Sequence, residues 1–493
     1  MAYNFRPVER DQQFLLAPSL RDWLPDDDLA WVVLDAVEQL DLGAIRARYR
    51  SDGWGAPAYD PAMMVGLLLY AYCLGERSSR QIETRCRHDI AYRVISANQL
   101  PDHATIARFR ADHEAALGEL FGQILRLCLA AGLGKLGLVA LDGTKLAGAT
   151  SLRANRSAAA LDAEIARMLA EASAADTAED ALHGPERHGD ELPPELAERG
   201  TRLARFRAAR QQLAEAEAAA HGVVTRHYAP RPTSQDAAHR PPSGRRPKSM
   251  LERRQGWTQR NPTDPDSRKM RTADGWLQGY NGQIVVAEDG LILAAELTQD
   301  ANDVGQLEPM LEATRANLVA AGGKHRIGTV LADCGYWSEV NVGAVERSGG
   351  PRLLIAPLRP TTSATRTRLP VRARMHRRLA TPSGRARYRR RGAIVEPVFG
   401  QLKEARGIRR LSRRGRVACQ SEWRLVGATH NLLKLWRHQR TRPPDGPPDG
   451  RPRPRGRQIG DHGPAARPPG EPRRARARLT RVSVFGHRRR NRD

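Results

Sequence analysis

Apolar and polar positions alternate with two different periods along this chain. In the first 135 residues the period is helical. "LAWVVLDAVEQLDLGAI" (29–45) repeats apolar residues at helical spacing. "YDPAMMVGLLLYAYCLG" (59–75) is apolar on nearly every face, which predicts a buried helix, with Asp60 as N-cap and Pro61 in the first helical position. Two further helical segments, "SSRQIETRCRHDIAYRVIS" and "PDHATIARFRADHEAALGELFGQILRLCLAAG", are separated by the short break "ANQLPDH". The second opens with Thr105, Arg108 and Arg110 near its start. That arrangement is similar to a helix-turn-helix, whose second helix faces the major groove. A plain helical hairpin has the same pattern.

Strand patterns begin at "GLVALD" (137–142). Residues 157–220 then return to helical spacing, rich in Ala, Glu and Arg and interrupted by "GPERHGDELPPE", which predicts a helical hairpin inserted into the domain that follows. Residues 228–275 have no period and are expected to be loop. "GQIVVAED" and "LILAAELT", joined at Asp289 and Gly290, predict a β-hairpin. Next come the helix "DVGQLEPMLEATRANLVAAG", the strand "IGTVLAD", the short helix "SEVNVGAVERSG" and the strand "RLLIAP". An Arg-dense loop is expected over 359–391, then a helix around Glu396 and a last helix, "SEWRLVGATHNLLKLWRHQ". The order predicts an α/β sheet with an antiparallel hairpin, flanked by helices. The domains expected are a helical 1–135, an α/β 136–437 with its insertion at about 157–275, and a Pro/Arg-rich tail, 438–493, without core formers and expected to be disordered.

Charge narrows the partners. The net charge is +25; residues 441–493, with fifteen arginines and five acids, contribute +10 of it, so the remainder is basic as well. Such a balance favours a polyanion, because Lys and Arg release counterions from phosphates. A membrane partner is disfavoured: the longest apolar run, 62–75, is too short to span a bilayer, and the basic residues are not interleaved with an amphipathic apolar face. The N-terminus has no apolar signal segment, and five scattered cysteines form no zinc pattern. A cytoplasmic protein with reduced cysteines is expected, associated with the nucleoid if its polyanion is DNA.

Three acids stand out against this basic background. Asp142 and Asp333 each end a short apolar run, and Glu396 lies in "YRRRGAIVEPVFGQLK" between Val395 and Pro397. Carboxylates converging from separate elements are what two-metal phosphodiester chemistry needs, and Mg²⁺ takes oxygen ligands. Singly, each Asp also suits a turn after a strand. Lys403, two turns beyond Glu396 on a regular helix, suits a DNA phosphate or a terminal base near the cut. Tyr388 and Arg391 suit backbone phosphate, Arg through its bidentate fork. Asn281 and Gln283 are expected to make structural hydrogen bonds, and Trp337 and Trp423 to sit in the core.

These motifs, in this order, resemble the DDE-type transposases of bacterial insertion sequences. The resemblance spans roughly residues 10–437. "LDGTK" carries the first acid, "ADCGY" the second, and Tyr388, Arg391, Glu396 and Lys403 match a Tyr-Arg-Glu-Lys signature. Four residues separate Arg391 from Glu396 where the signature has three, so Arg390 and Arg389 stand beside it as candidates. "GYNGQIVV", "NDVGQLEPML" and "EWRLVGATHNLLKL" are similar to family sequence too. The resemblance implies an RNase-H-like catalytic core behind an all-α DNA-binding domain. It implies catalytic and metal-binding roles for Asp142, Asp333 and Glu396, two Mg²⁺ ions (or Mn²⁺), double-stranded DNA as partner, and a homodimer pairing two element ends. Cleavage of element ends and strand transfer would follow. The alternatives are an inactive, transposase-derived DNA-binding protein and a metal nuclease without strand transfer.

Overall fold

The structure, a computed structural model, describes residues 19–50, 57–183, 194–227, 259–322, 326–357 and 370–441. The tail from 442, the interruption 184–193 and most of the expected loop 228–275 lie outside the described residues.

The N-terminal part is helical as its spacing predicts. It comprises α1 (Leu29–Glu38), α2 (Gly43–Arg46), α3 (Pro61–Cys73), α4 (Ser79–His88), α5 (Ile90–Ile95), α6 (His103–Asp112) and α7 (Glu114–Ala130). Asp60 caps α3, accepting from the Ala62 and Met63 amides, with Pro61 behind it. Each of the two long helices expected after α3 is broken once. Asp89 leaves α4 in extended conformation and caps α5, and His113 turns the chain between α6 and α7.

β1 (Leu138–Ala147) runs five residues beyond the expected strand. The inserted hairpin follows as α8 (Ala158–His183) and α9 (Pro194–His227). The two run back along each other around Leu161, Ala209 and Leu213, with ion pairs from Arg210 to Asp162 and from Arg202 to Glu164. β2 (Arg268–Thr272) falls where loop was expected; its "RKMRT" buries Met270 alone, too little for a period to show. β3 (Gly275–Ala287) and β4 (Ile292–Thr298) form the expected hairpin, and Gly290 takes φ +83° in its turn. α10 (Leu307–Ala320), β5 (Thr329–Ala332), α11 (Glu339–Arg347) and β6 (Arg352–Ile355) alternate next. The Arg-dense loop expected over 359–391 is instead helical from 370: α12 (Pro370–Ala380) and α13 (Pro382–Gly400) fill it. Arg is a good helix former, and the apolar stripe of Met375, Ile394 and Val395 is thinned by the arginines around it. α14 (Arg416–Thr441) closes the fold.

The sheet is mixed. Its order is β2-β3-β1-β5-β6, with β4 on the second half of β3. β1 is antiparallel to β3 and parallel to β5, and β6 is parallel to β5. One apolar core continues from Leu29 in α1 to Leu435 in α14, so the boundary expected at residue 135 does not separate two cores. α14 packs against α7, α3 and β4 at once.

Buried polar groups on α14 fix that packing. Glu422 takes the Arg77 guanidinium at 3.0 Å, the Ser412 and Arg413 amides and the Ser412 hydroxyl. His430, fully buried, contacts the Gly290 carbonyl at 3.0 Å through Nε2.

Two outcomes follow. Glu422→Ala strands the Arg77 charge and two half-buried amides and is expected to cost about 3–5 kcal/mol in urea unfolding; a loss under about 1 kcal/mol would contradict the role of this joint. Burial depresses the His430 pKa from 6.5 to about 3, so its neutral form belongs to the folded state. The stability it contributes is present above pH 6.5 and is lost as pH falls towards 3. Between pH 6.5 and 5.5 the wild type should lose about 1 kcal/mol more than His430→Gln, measured by denaturant unfolding.

Candidate active site

The parallel register of β1 and β5 brings two of the expected acids side by side. Leu141 pairs with Ala332, the last residue of β5, so Asp142 and Asp333 are the next residues on neighbouring strands. Beyond this point β1 continues on β3 alone. Asp142 Oδ1 accepts from the Gly143 amide at 2.8 Å, and its Oδ2 accepts from Arg391 Nη1 at 2.9 Å. Burial raises the Asp142 carboxyl above its ordinary value; the Gly143 amide and the Arg391 charge oppose this, and Asp333 adds to it. Asp333 caps the 3-10 turn Cys334–Tyr336, its Oδ1 accepting from the Gly335 amide at 2.8 Å.

α13 packs on β1 and carries the third acid. Ile394, Val395 and Val398 are buried, and Glu396 is exposed on the flank of that face. Its carboxylate folds back along the helix: a Cβ on Gly392 would stand 2.7 Å from Glu396 Oε1. Pro397 removes the amide that the Ala393 carbonyl would otherwise meet. The helix then widens into a π-helical turn at Gln401–Ala405. Lys403 lies within this turn, so the regular two-turn spacing from Glu396 does not hold. Burial lowers its pKa.

The signature residues before Glu396 are engaged within the protein. The Tyr388 hydroxyl donates to the carbonyl of Ala332, directly before Asp333, at 3.3 Å. Arg391 is spent on Asp142, and Arg390 pairs with Glu288. Thr105 bonds its cap, Asp102, through both amide and hydroxyl. The Arg110 guanidinium reaches the Arg77 carbonyl and Ser79, whereas Arg108 is exposed. Trp337 and Trp423 are buried, as expected.

Sequence reasoning missed two members of the neighbourhood. Asp303 follows β4, and its Oδ1 accepts from Asn281 Nδ2 and Gln283 Nε2, both at 2.7 Å. Lys145 Nζ lies 3.8 Å from the same oxygen. The signal was present in Asn281 and Gln283, two buried polar side chains on one face of β3 that require a partner. Gly143 leaves the space they occupy: a Cβ there would stand 2.4 Å from Gln283 Nε2 and 2.9 Å from Asp303 Oδ1. The neighbourhood therefore offers carboxylate and amide oxygens around a cradle without a Cβ, the donor chemistry that a Mg²⁺-like ion takes. Among the described residues no three acidic, His or Cys side chains stand close enough together to hold an ion as they are.

Comparison with known families agrees with both halves of this architecture. Residues 18–112 match the model of a transposase domain (DUF772), and residues 246–432 match that of a transposase DDE domain. The chain belongs to the DDE transposases of insertion sequences. The family acts in DNA transposition, binds DNA, generally uses divalent metal ions, and has an RNase-H-like fold in its DDE part. No curated protein and no solved structure matches the chain. No helix among the described residues is long and apolar enough to cross a membrane.

Gly143→Ala tests the cradle. The added methyl meets Gln283, Asp303 and Asn281 at 3.1 Å or less. The variant is expected to lower the thermal midpoint and to reduce DNA cleavage at least about tenfold. Wild-type cleavage would show that the close approach has no part in the site.

Proposed function

We propose that this chain cleaves the ends of an insertion sequence and joins them to new DNA, using divalent metal ions held by Asp142, Asp333 and Glu396. The observation that carries the reading is the position of Asp142 and Asp333 directly after the paired Leu141 and Ala332 of two parallel strands, with the Glu396 helix packed against β1. When bound, the ions would polarise the attacking oxygen and stabilise the leaving one.

The protein's own groups prepare this. Asp142 and Asp333 are fixed by local amide bonds, which leave further carboxylate lone pairs for a ligand. Tyr388 fixes the strand end beneath Asp333. Arg391 pairs with Asp142, and its exchange from that carboxylate to a DNA phosphate would couple binding to readiness. Glu396 would complete the set by turning away from Gly392. Lys403, Arg108 and Thr105 are proposed to hold DNA backbone; Arg110 would act indirectly by fixing α6. Two element ends must be brought together, which favours a homodimer acting on double-stranded DNA at the nucleoid.

In an assay with Mg²⁺ and labelled terminal repeats, the wild type is expected to nick and to join. Asp142→Ala, Asp333→Ala and Glu396→Ala should each lower cleavage by at least about a thousandfold with DNA affinity nearly kept, because phosphate contacts carry the affinity. Retained cleavage in one variant removes that residue from the site. Nicking without joining indicates a nuclease, and binding without either indicates an inactive relative.

A further inference from the structure

We propose that Asp303 is a fourth acidic member of the cation site, presenting its second carboxylate oxygen beside Asp333. The inference rests on the reading of Asp142 and Asp333 as cation-holding residues. Asp303 lies at the start of the 3-10 turn Val304–Gln306, on the connection from β4 to α10, and comes from a different element than the other three acids.

The two oxygens of Asp303 have different surroundings. Oδ1 is clamped by two amide donors at 2.7 Å, with the Lys145 ammonium further off. Oδ2 has no hydrogen bond among the described residues and is directed at the turn that Asp333 caps. A Cβ on Gly335 would stand 2.9 Å from Asp333 Oδ1 and 3.5 Å from Asp303 Oδ2, so both carboxylates close on one point. A carboxylate clamped through one oxygen is held in orientation and keeps the other for a ligand.

Asn281 supplies the independent observation. It is fully buried, and its Oδ1 has no hydrogen-bond partner among the described residues. That oxygen lies 3.1 Å from the position of a Cβ on Gly143, in the same cradle. A buried amide oxygen without a donor costs free energy, and a hard cation or its bound water would satisfy it. Glycines at 143 and 335 keep both sides of the pocket clear. The Tyr336 hydroxyl closes its floor through Gln283; burial first, and then the charges of Asp303, Asp142 and Asp333, raise the pKa of this phenol. Lys145 is the resident positive charge, within reach of both Asp303 and Asp333. A divalent ion would take over its neutralising role.

The test is Mn²⁺ binding to the full chain without DNA, followed by the electron paramagnetic resonance signal of the free ion. Asp303→Asn keeps an acceptor for Asn281 and Gln283 and removes the charge. It should fold normally by circular dichroism and bind Mn²⁺ at least about tenfold more weakly. Lys145→Met removes the ammonium that faces both Asp303 and Asp333 and should tighten binding severalfold, which tests the negative charge of the whole pocket; unchanged affinity there overturns the cation pocket. Unchanged Mn²⁺ affinity in Asp303→Asn, with affinity lost in Asp142→Asn and Asp333→Asn, overturns the role of Asp303 alone. Unchanged affinity in those two variants overturns the underlying site. If Asp303→Asn does not fold, Asp303→Ser, which keeps an oxygen acceptor in a smaller side chain and removes the charge, decides, and unchanged affinity there overturns the proposal.

Discussion

The last helix, α14, is the joint on which the rest of the molecule depends. It is buried along most of its length and touches the N-terminal helices on one side and the sheet on the other. Burying it means burying its polar side chains, which must then find partners. Each finds one on a different element. Glu422 takes Arg77 from the loop before α4. Trp423 donates to the Gln283 carbonyl on β3, and Asn431 bonds both amide and carbonyl of Ile292 on β4. Arg406, just upstream, reaches the Tyr72 carbonyl and Thr429. These bonds set the position of the sheet against the N-terminal helices, and they account for one continuous core where two domains are expected.

The sheet then sets the acids. The register between β1 and β5 is a backbone property, enforced by the buried faces of Val139, Leu141, Val330 and Ala332. A slip of one residue would send Asp142 to the opposite face. Electrostatics tunes the result. Without an ion, Arg391 and Lys145 are the cations closest to the carboxylates, and each is placed by a different element.

Much of this was legible in the sequence, for identifiable reasons. Strands with continuous apolar runs, such as "LGLVAL" and "TVLA", announce themselves, and so does an aspartate at their ends. Glu396 was visible because it interrupts an apolar face. The helices of 370–391 were not visible, because arginine conceals their narrow buried stripe. β2 was hidden because one methionine carries its burial. Asp303 escaped notice because an aspartate before a helix looks like an ordinary cap; its meaning comes from Asn281 and Gln283, about twenty residues earlier and brought near only by the hairpin. The widened turn at 401–405, which changes where Lys403 stands, has no period-based signature beyond Pro397.

The position of α14 in the chain has a consequence for the order of synthesis. A ribosome releases Asp142, Asp333 and Glu396 before it releases the helix that locks the sheet to the N-terminal helices. Until that helix docks, buried faces of β3 and β4 lack their cover, and Arg77 lacks its carboxylate. The acids assigned to strand cleavage are therefore kept apart from a finished active site during most of translation, and polypeptides that stop before residue 416 lack the piece that assembles it. On the proposed reading, strand cleavage would become possible only after α14 has emerged and docked, while the chain is still close to the messenger, and the gene, from which it came.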